Sequence, residues 1–384
     1  MTIHLPMDAA GFLSAAQTET GITLVDEAAV GPLTRLIESY NADAQFTADG
    51  AAGMHMRLMR ILKNRLRMLR DVAAHPEILD IALKPPVIIN AMARTGSTKM
   101  QKVLAATGDF NWLPNWKVLN PSSVTGVPHE DVLSRIEDVK ADEAWFDAAS
   151  PDAKLAHSFA ADEPEEDSML MAQSLISPTL TGYADADRYV MWTLEAGMQH
   201  QFLYLRDALK YMIWQGLADP QKPFVLKSAM SYGFETDLLK AFPGAKLIMT
   251  HRDPLQCIPS ACRLIELFNY AHSHKAIDHA ARFEGMAWKM DLHLAFRDAE
   301  PEYPILDISY GAVRSAATDV LASIYAFADM PLAEAAVDAV AAWEVRNPKN
   351  KHGAFTYALA DFGLTEGGII ERFNAYYGRF SEYF

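Results

Sequence analysis

Cysteine is scarce in this chain: Cys257 and Cys262 are the only two among 384 residues. They stand five apart in a stretch that reads as one helix, so their side chains point in different directions and no disulfide is expected. Such sparse use suits a reducing compartment. Positive charge is also short, with 34 Lys and Arg against 49 Asp and Glu and a net charge of −15. That balance excludes general binding to nucleic acid or acidic membranes, which need a basic surface. Any anion site must therefore be locally basic. No run reaches the roughly eighteen uninterrupted apolar residues of a spanning helix, and the N-terminus, which carries Asp8, has no basic-then-apolar leader. A soluble, cytoplasmic protein is the expectation. Internal repeats and low-complexity tracts are missing too. What is present is apolar content of 50%, enough for a large core in one big domain or two modest ones.

Residues 1–84 read as a helical N-terminal region. Leu58, Leu62, Leu66, Leu69 and Val72 make an apolar stripe, while Arg57, Arg60, Lys63, Arg67 and Arg70 fall mostly on other faces of the same helix. The simplest expectation for that basic face is solvation; an acidic partner or substrate is the sharper one. Pro76 and Pro85-Pro86 close the region. From Val87 on, strands alternate with helices, which implies a parallel sheet covered by helices. Strands are expected at Val87 to Ala91, Phe224 to Leu226, Lys246 to Thr250 and Ile305 to Ile308, with helices from about Ser97, Tyr232, Pro254 and Arg314. Residues 110–220, rich in Trp, Met and acids, read as a helical insertion over the C-terminal edge of the sheet, where open α/β sheets bind ligands. The expected fold is thus an α/β domain over 85–384 with a P-loop-like parallel sheet flanked by helices, the 110–220 insertion serving as a substrate cap or as a plain packing subdomain.

Three strand ends carry the chemistry. After Val87-Ile88-Ile89 comes Arg94-Thr95-Gly96-Ser97-Thr98-Lys99, a tight turn opening a helix. Backbone N–H groups and a helix N-terminus there converge on one spot suited to phosphate or sulfate. A nucleotide-triphosphate loop needs two glycines five apart before Lys-Ser/Thr, and this loop has neither the spacing nor the order. The strand at Lys246 delivers His251-Arg252-Asp253-Pro254, with Ser260 two helical turns further on, and the strand at Phe224 ends in Lys227-Ser228. Arg94, Lys227 and Arg252 therefore end three strands of one parallel sheet, and parallel strands put those ends on a single edge.

These residues resemble the sulfotransferases that use 3′-phosphoadenosine 5′-phosphosulfate (PAPS), most closely the large bacterial branch with a helical N-terminal extension. Arg94-Thr95-Gly96-Ser97-Thr98 is similar to that family's 5′-phosphosulfate loop, Val225-Leu226-Lys227-Ser228-Ala229 to its Val-Leu-Lys-Ser-Pro segment, and Arg252 with Ser260 to its 3′-phosphate pair. Further likeness lies in Leu66 to Ile78, Ile308-Ser309-Tyr310 and His352 to Leu364. The resemblance implies in-line, metal-independent sulfuryl transfer from PAPS as co-substrate to a hydroxyl, or an amine, of a small or lipid-like acceptor. Arg94 would stabilise the bridging oxygen and leaving phosphate, with Lys227 assisting. Thr95, Gly96, Ser97, Thr98 and Lys99 would line the cofactor loop, and Lys351, His352 and Gly353 would close over the 3′-phosphate. For the base, Glu165 and Glu166 in Ala161-Asp162-Glu163-Pro164-Glu165-Glu166-Asp167 are the candidates, with His157 in reserve.

Several positions depart from the pattern. Ala93 replaces the usual proline, Lys99 an apolar residue that stacks on adenine in animal members, and Ala229 and Ser231 stand where relatives carry proline or histidine. His272, His274, His279 and Glu284 match no metal-ligand spacing. Trp112, Trp116, Met169, Met171, Tyr189 and Trp192 can line an apolar acceptor pocket or simply fill a core. A P-loop-like kinase and a nucleotide-binding member without transfer activity are the competing readings.

Overall fold

A computed structural model of the chain describes residues 3–149, 160–315, 317–347 and 358–384. Among them, four short strands form one sheet: β1 (Val87–Ile89), β2 (Val225–Lys227), β3 (Lys246–His251) and β4 (Ile305–Ser309). The order is β2-β1-β3-β4 and every pairing is parallel. Each strand lies within a residue or two of its sequence expectation. All three residues of β1 and of β2 are buried, which is why these strands are continuous apolar runs. Alternation still divides them between two cores. Val87, Ile89 and Val225 face Met100, Val103 and Leu104 of helix Ser97–Ala106. Ile88, Leu226 and Leu247 face Phe202, Leu205 and Leu209 of helix Gln199–Trp214.

β1 has β2 on one side and β3 on the other, so the connections leaving the C-terminal ends of these strands diverge. That switch point opens a crevice at the sheet edge. Register places Ile89 opposite both Lys227 and Ile248, so the residues that follow β1, β2 and β3 emerge together. The helix after β2 starts at Glu235 rather than Tyr232, because Gly233, at φ +85, turns the chain first. After β4 the chain enters helix Tyr310–Ser315 directly, four residues before Arg314.

The 110–220 insertion is mainly helical, but Asn111 pairs parallel to Phe224 and extends the sheet beyond β2 by one bridge. Its last helix, Gln199–Trp214, covers a sheet face. Its middle shares a core with the N-terminal helices, in which Leu33, Leu36, Met54, Leu58 and Leu62 pack with Leu175, Leu180 and Tyr189. The Tyr40 hydroxyl donates to the Leu180 carbonyl at 2.8 Å. Helix Ala48–Ala74 starts where the Thr47 side chain caps Gly50 N. Its basic face corrects the expectation of simple solvation. Arg60 pairs with Asp138 and Asp142, Lys63 with Glu19 at 2.9 Å and Arg70 with Asp71 at 2.7 Å. The reason is that helix Val132–Ala149 of the insertion lies against this face and supplies the acids for Arg60.

Candidate active site

The turn after β1 uses two left-handed residues, Arg94 at φ +69 and Gly96 at φ +87. For Arg94 that conformation costs about 1–2 kcal/mol. Its neighbours offset the cost: Arg252 Nη1 donates to the Arg94 carbonyl at 2.9 Å, and Arg94 Nε donates to Ser260 Oγ at 3.0 Å. At Gly96 a Cβ would stand 2.9 Å from the Tyr310 ring in addition to the backbone strain, so glycine is required twice over. Helix Ser97–Ala106 then begins with no side-chain cap, leaving its first N–H groups directed at the crevice.

Thr95 behaves differently from its sequence expectation. It is fully buried, and its hydroxyl donates to the Met92 carbonyl at 2.7 Å and shares a 2.6 Å hydrogen bond with Thr250. It pins the loop to β3 and offers a ligand only its backbone. Lys99 rims the crevice, its Nζ held by Glu344 at 2.7 Å and the Arg314 carbonyl at 3.2 Å. Ser260 tethers Arg94 as described.

Lys227, 3% exposed at the end of β2, donates to Thr98 Oγ1 at 3.2 Å and pairs with Glu166. Arg252 lies with its guanidinium 4.3 Å over the Tyr310 ring and is braced by Gln256. Arg94, Ser97, Thr98, Lys227 and Arg252 thereby line one chamber of about 250 Å³, with Arg314 at its wall. A second chamber of about 210 Å³, lined by Met169, Tyr183, Ala229 and Phe268, adjoins it. Ala93, Glu166 and Leu264 belong to both walls. Of the adjacent carboxylates, Glu166 stands at the junction, whereas Glu165 is 6% exposed, reaches only the second chamber and accepts Glu166 N on its own Oε1 at 2.8 Å. His157, Lys351, His352 and Gly353 lie outside the described residues.

Sequence reasoning did not single out Tyr310, Arg314, Asp167 or Lys289. Tyr310 and Arg314 lay in or beside a quoted segment, but nothing local shows that they face Arg252 and Gly96. Lys289 comes from a distant helix, His279–Ala299, to donate to the Ala229 carbonyl at 2.6 Å, with burial lowering its ammonium to about 7. Cys257 sits beside the Arg94 carbonyl, yet burial pushes its thiol up to about 12, so it is no nucleophile. Both cysteines are free. Among the described residues no group of three or more His, Cys, Asp or Glu is placed to hold a metal ion. His272 and His279 bond instead to the Phe268 carbonyl and to Glu266.

Asp167 is 2% exposed behind Glu166, and its Oδ1 has no hydrogen-bond partner. Burial first, then the charge of Glu166, push its carboxyl up to about 7, against the opposing pull of Lys227. The folded state therefore keeps a proton that the unfolded chain releases near pH 4, so this group's stabilisation is complete below about pH 4 and is lost as pH rises through 7. Thermal melts of Asp167→Asn against the parent should show no difference at low pH and an advantage that grows to a plateau above pH 7. The advantage is on the order of 2–4 kcal/mol; a gap independent of pH would show that Asp167 is already ionised.

The switch point of the parallel sheet thus presents a cationic loop, a helix N-terminus and two further basic strand ends to one chamber, beside a second, more apolar one, in an α/β protein. Residues 85–334 match the Sulfotransferase family, and the chain belongs to it. The fold is similar to that of the sulfotransferase STF9 from Mycobacterium avium, with a TM-score of 0.84, 24% identity, and coverage of 97% of this chain and 96% of that one. It is also similar to the sulfotransferase STF1 from Mycobacterium tuberculosis H37Rv, at a TM-score of 0.80 and 23% identity over 97% and 100% of the two chains. No curated protein matches the sequence. The protein is thus an enzyme of the sulfotransferase type. Among the described residues no helix is long and apolar enough to cross a membrane.

Proposed function

We propose that this enzyme moves a sulfuryl group from PAPS to a hydroxyl, or an amine, of a small or lipid-like acceptor. The observation that carries the reading is Glu166 at the shared wall of two chambers, paired with Lys227 on the side where Arg94 and Arg252 also stand. The residues fit such a donor: three cations from three strand ends, free helix N–H groups, and a glycine packed against Tyr310 where any side chain would intrude. PAPS supplies an activated sulfuryl group on a phosphate leaving group. Backbone N–H groups from Gly96 to Lys99, with the Ser97 and Thr98 hydroxyls, hold its 5′ end. Arg252 binds the 3′-phosphate, and Ser260 holds Arg94 in place. Arg94 and Lys227 are aimed where charge develops in transfer.

Glu166 takes the acceptor's proton. An anion in the first chamber competes with Glu166 for Lys227. The N-terminal region (1–84) and the 110–220 insertion form the acceptor side, and 85–384 the transferase domain. The reading carries a cytoplasmic, reducing location, in keeping with two unpaired buried cysteines.

The test is thermal. A saturating excess of 3′,5′-adenosine bisphosphate without metal should raise the melting temperature by a few degrees, corresponding to about 2.7 kcal/mol at a hundredfold excess over Kd. Arg252→Ala should abolish the rise. Stabilisation by ATP with magnesium alone would assign the site to a kinase instead.

A further inference from the structure

The second chamber does not end at Tyr183. Beyond it lies a small cavity of about 60 Å³ lined by Gly53, Arg57, Glu143 and Trp145, and it shares Met169, Tyr183 and Phe268 with the acceptor chamber. Trp145 closes it tightly: a Cβ on Gly53 would stand 2.8 Å from its ring. The space is the smaller of the two and suits a compact polar group.

Arg57 is the unusual lining residue. On the same helix Arg60, Lys63, Arg65 and Arg70 each meet a carboxylate. Arg57 meets none among the described residues. Its guanidinium lies 3.8 Å over the Tyr183 ring, and its Nε is buried without a hydrogen-bond partner. Arg57 is half-buried, and the Tyr183 ring face is the partner its guanidinium meets here. The charge is felt nearby: burial, then Arg57, lower the His272 imidazole to about 4. The acids at this wall do not neutralise it. Asp142 is committed to Arg60, and Glu143 is bonded to Asn115, with burial raising its carboxyl above the usual range; neither forms an ion pair with Arg57.

We propose that the acceptor carries an oxyanion, such as a carboxylate, at the far end of an apolar stem, and that Arg57 receives that group in the inner cavity while the reacting hydroxyl faces Glu166. The stem would run along Met169, Tyr183 and Phe268. This inference rests on the second chamber being the acceptor side. Arg57 is then a specificity residue, reading one end of the acceptor while the chemistry takes place at the other.

The probes are ω-hydroxy carboxylic acids of graded chain length, their methyl esters, and the matching amino alcohols, titrated calorimetrically into the full chain with 3′,5′-adenosine bisphosphate present. At the fitting length the acid should bind about tenfold tighter than its ester. Arg57→Met should remove that preference while leaving the ester within about twofold of its parent affinity and the bisphosphate melting shift intact. Arg57→Lys, which keeps the charge but not the fork, should keep part of it. Equal binding of acid and ester, tighter binding of the amine through Glu143, parallel loss of acid and ester in Arg57→Met, or no binding of any acid would each overturn the inference. The donor assignment is read separately. If the bisphosphate gives no melting shift while the acid preference holds and depends on Arg57, the donor reading falls and the Arg57 site stands.

Discussion

Glu166→Gln is expected to slow sulfuryl transfer by about 10²- to 10⁴-fold while leaving the bisphosphate-induced melting shift in place. The amide keeps the shape of the carboxylate and can still accept a hydrogen bond from Lys227, but it cannot take a proton. Because Glu166 lies on the wall shared by the two chambers and Glu165 does not, Glu165→Gln should cost far less. Single-turnover rates with PAPS and an accepted hydroxyl compound measure both. A Glu165→Gln loss as large as that of Glu166→Gln would move the base by one residue.

The second large effect concerns Arg94. Its φ of +69 makes glycine, not alanine, the informative replacement, since glycine takes the left-handed conformation without strain. Arg94→Gly keeps the carbonyl that accepts from Arg252 and deletes the side chain, with its guanidinium and the hydrogen bond to Ser260. Removing one group aimed at developing charge costs about 10² to 10³ in kcat, and bisphosphate binding through Arg252 and the helix N-terminus should survive. Equal loss of binding and of transfer would make Arg94 a ground-state ligand. Arg94→Ala is expected to be less stable than Arg94→Gly despite its smaller change in chain entropy, by about 1 kcal/mol.

How much of this was legible in the sequence follows from the range of the forces involved. Strand, turn and helix starts are set by neighbours in the chain: β-branched runs, a positive-φ glycine and a proline at a first helical turn. The strands from Val87 and Lys246 and the helices from Ser97 and Pro254 therefore begin where they are expected. Parallel pairing then brings Arg94, Lys227 and Arg252 to one edge without further information.

Side-chain direction is another matter. Thr95 reads as one more hydroxyl of an anion loop, yet Met92 and Thr250 take it inward because β3 passes beside the loop. Glu165 and Glu166 are adjacent and chemically alike in sequence. Only the packing of that segment against the Lys227 strand decides which one reaches the junction. Arg57 reads as one of a series of solvated cations; the insertion supplies acids to Arg60 but an aromatic ring to Arg57.

By itself the sequence determined the parts of the candidate site whose placement is local: cations at strand ends, a helix N-terminus and a glycine turn. The tertiary structure alone decided which carboxylate meets Lys227 and which arginine meets a ring rather than an acid, because such pairings depend on residues tens to hundreds of positions away that only packing brings within reach.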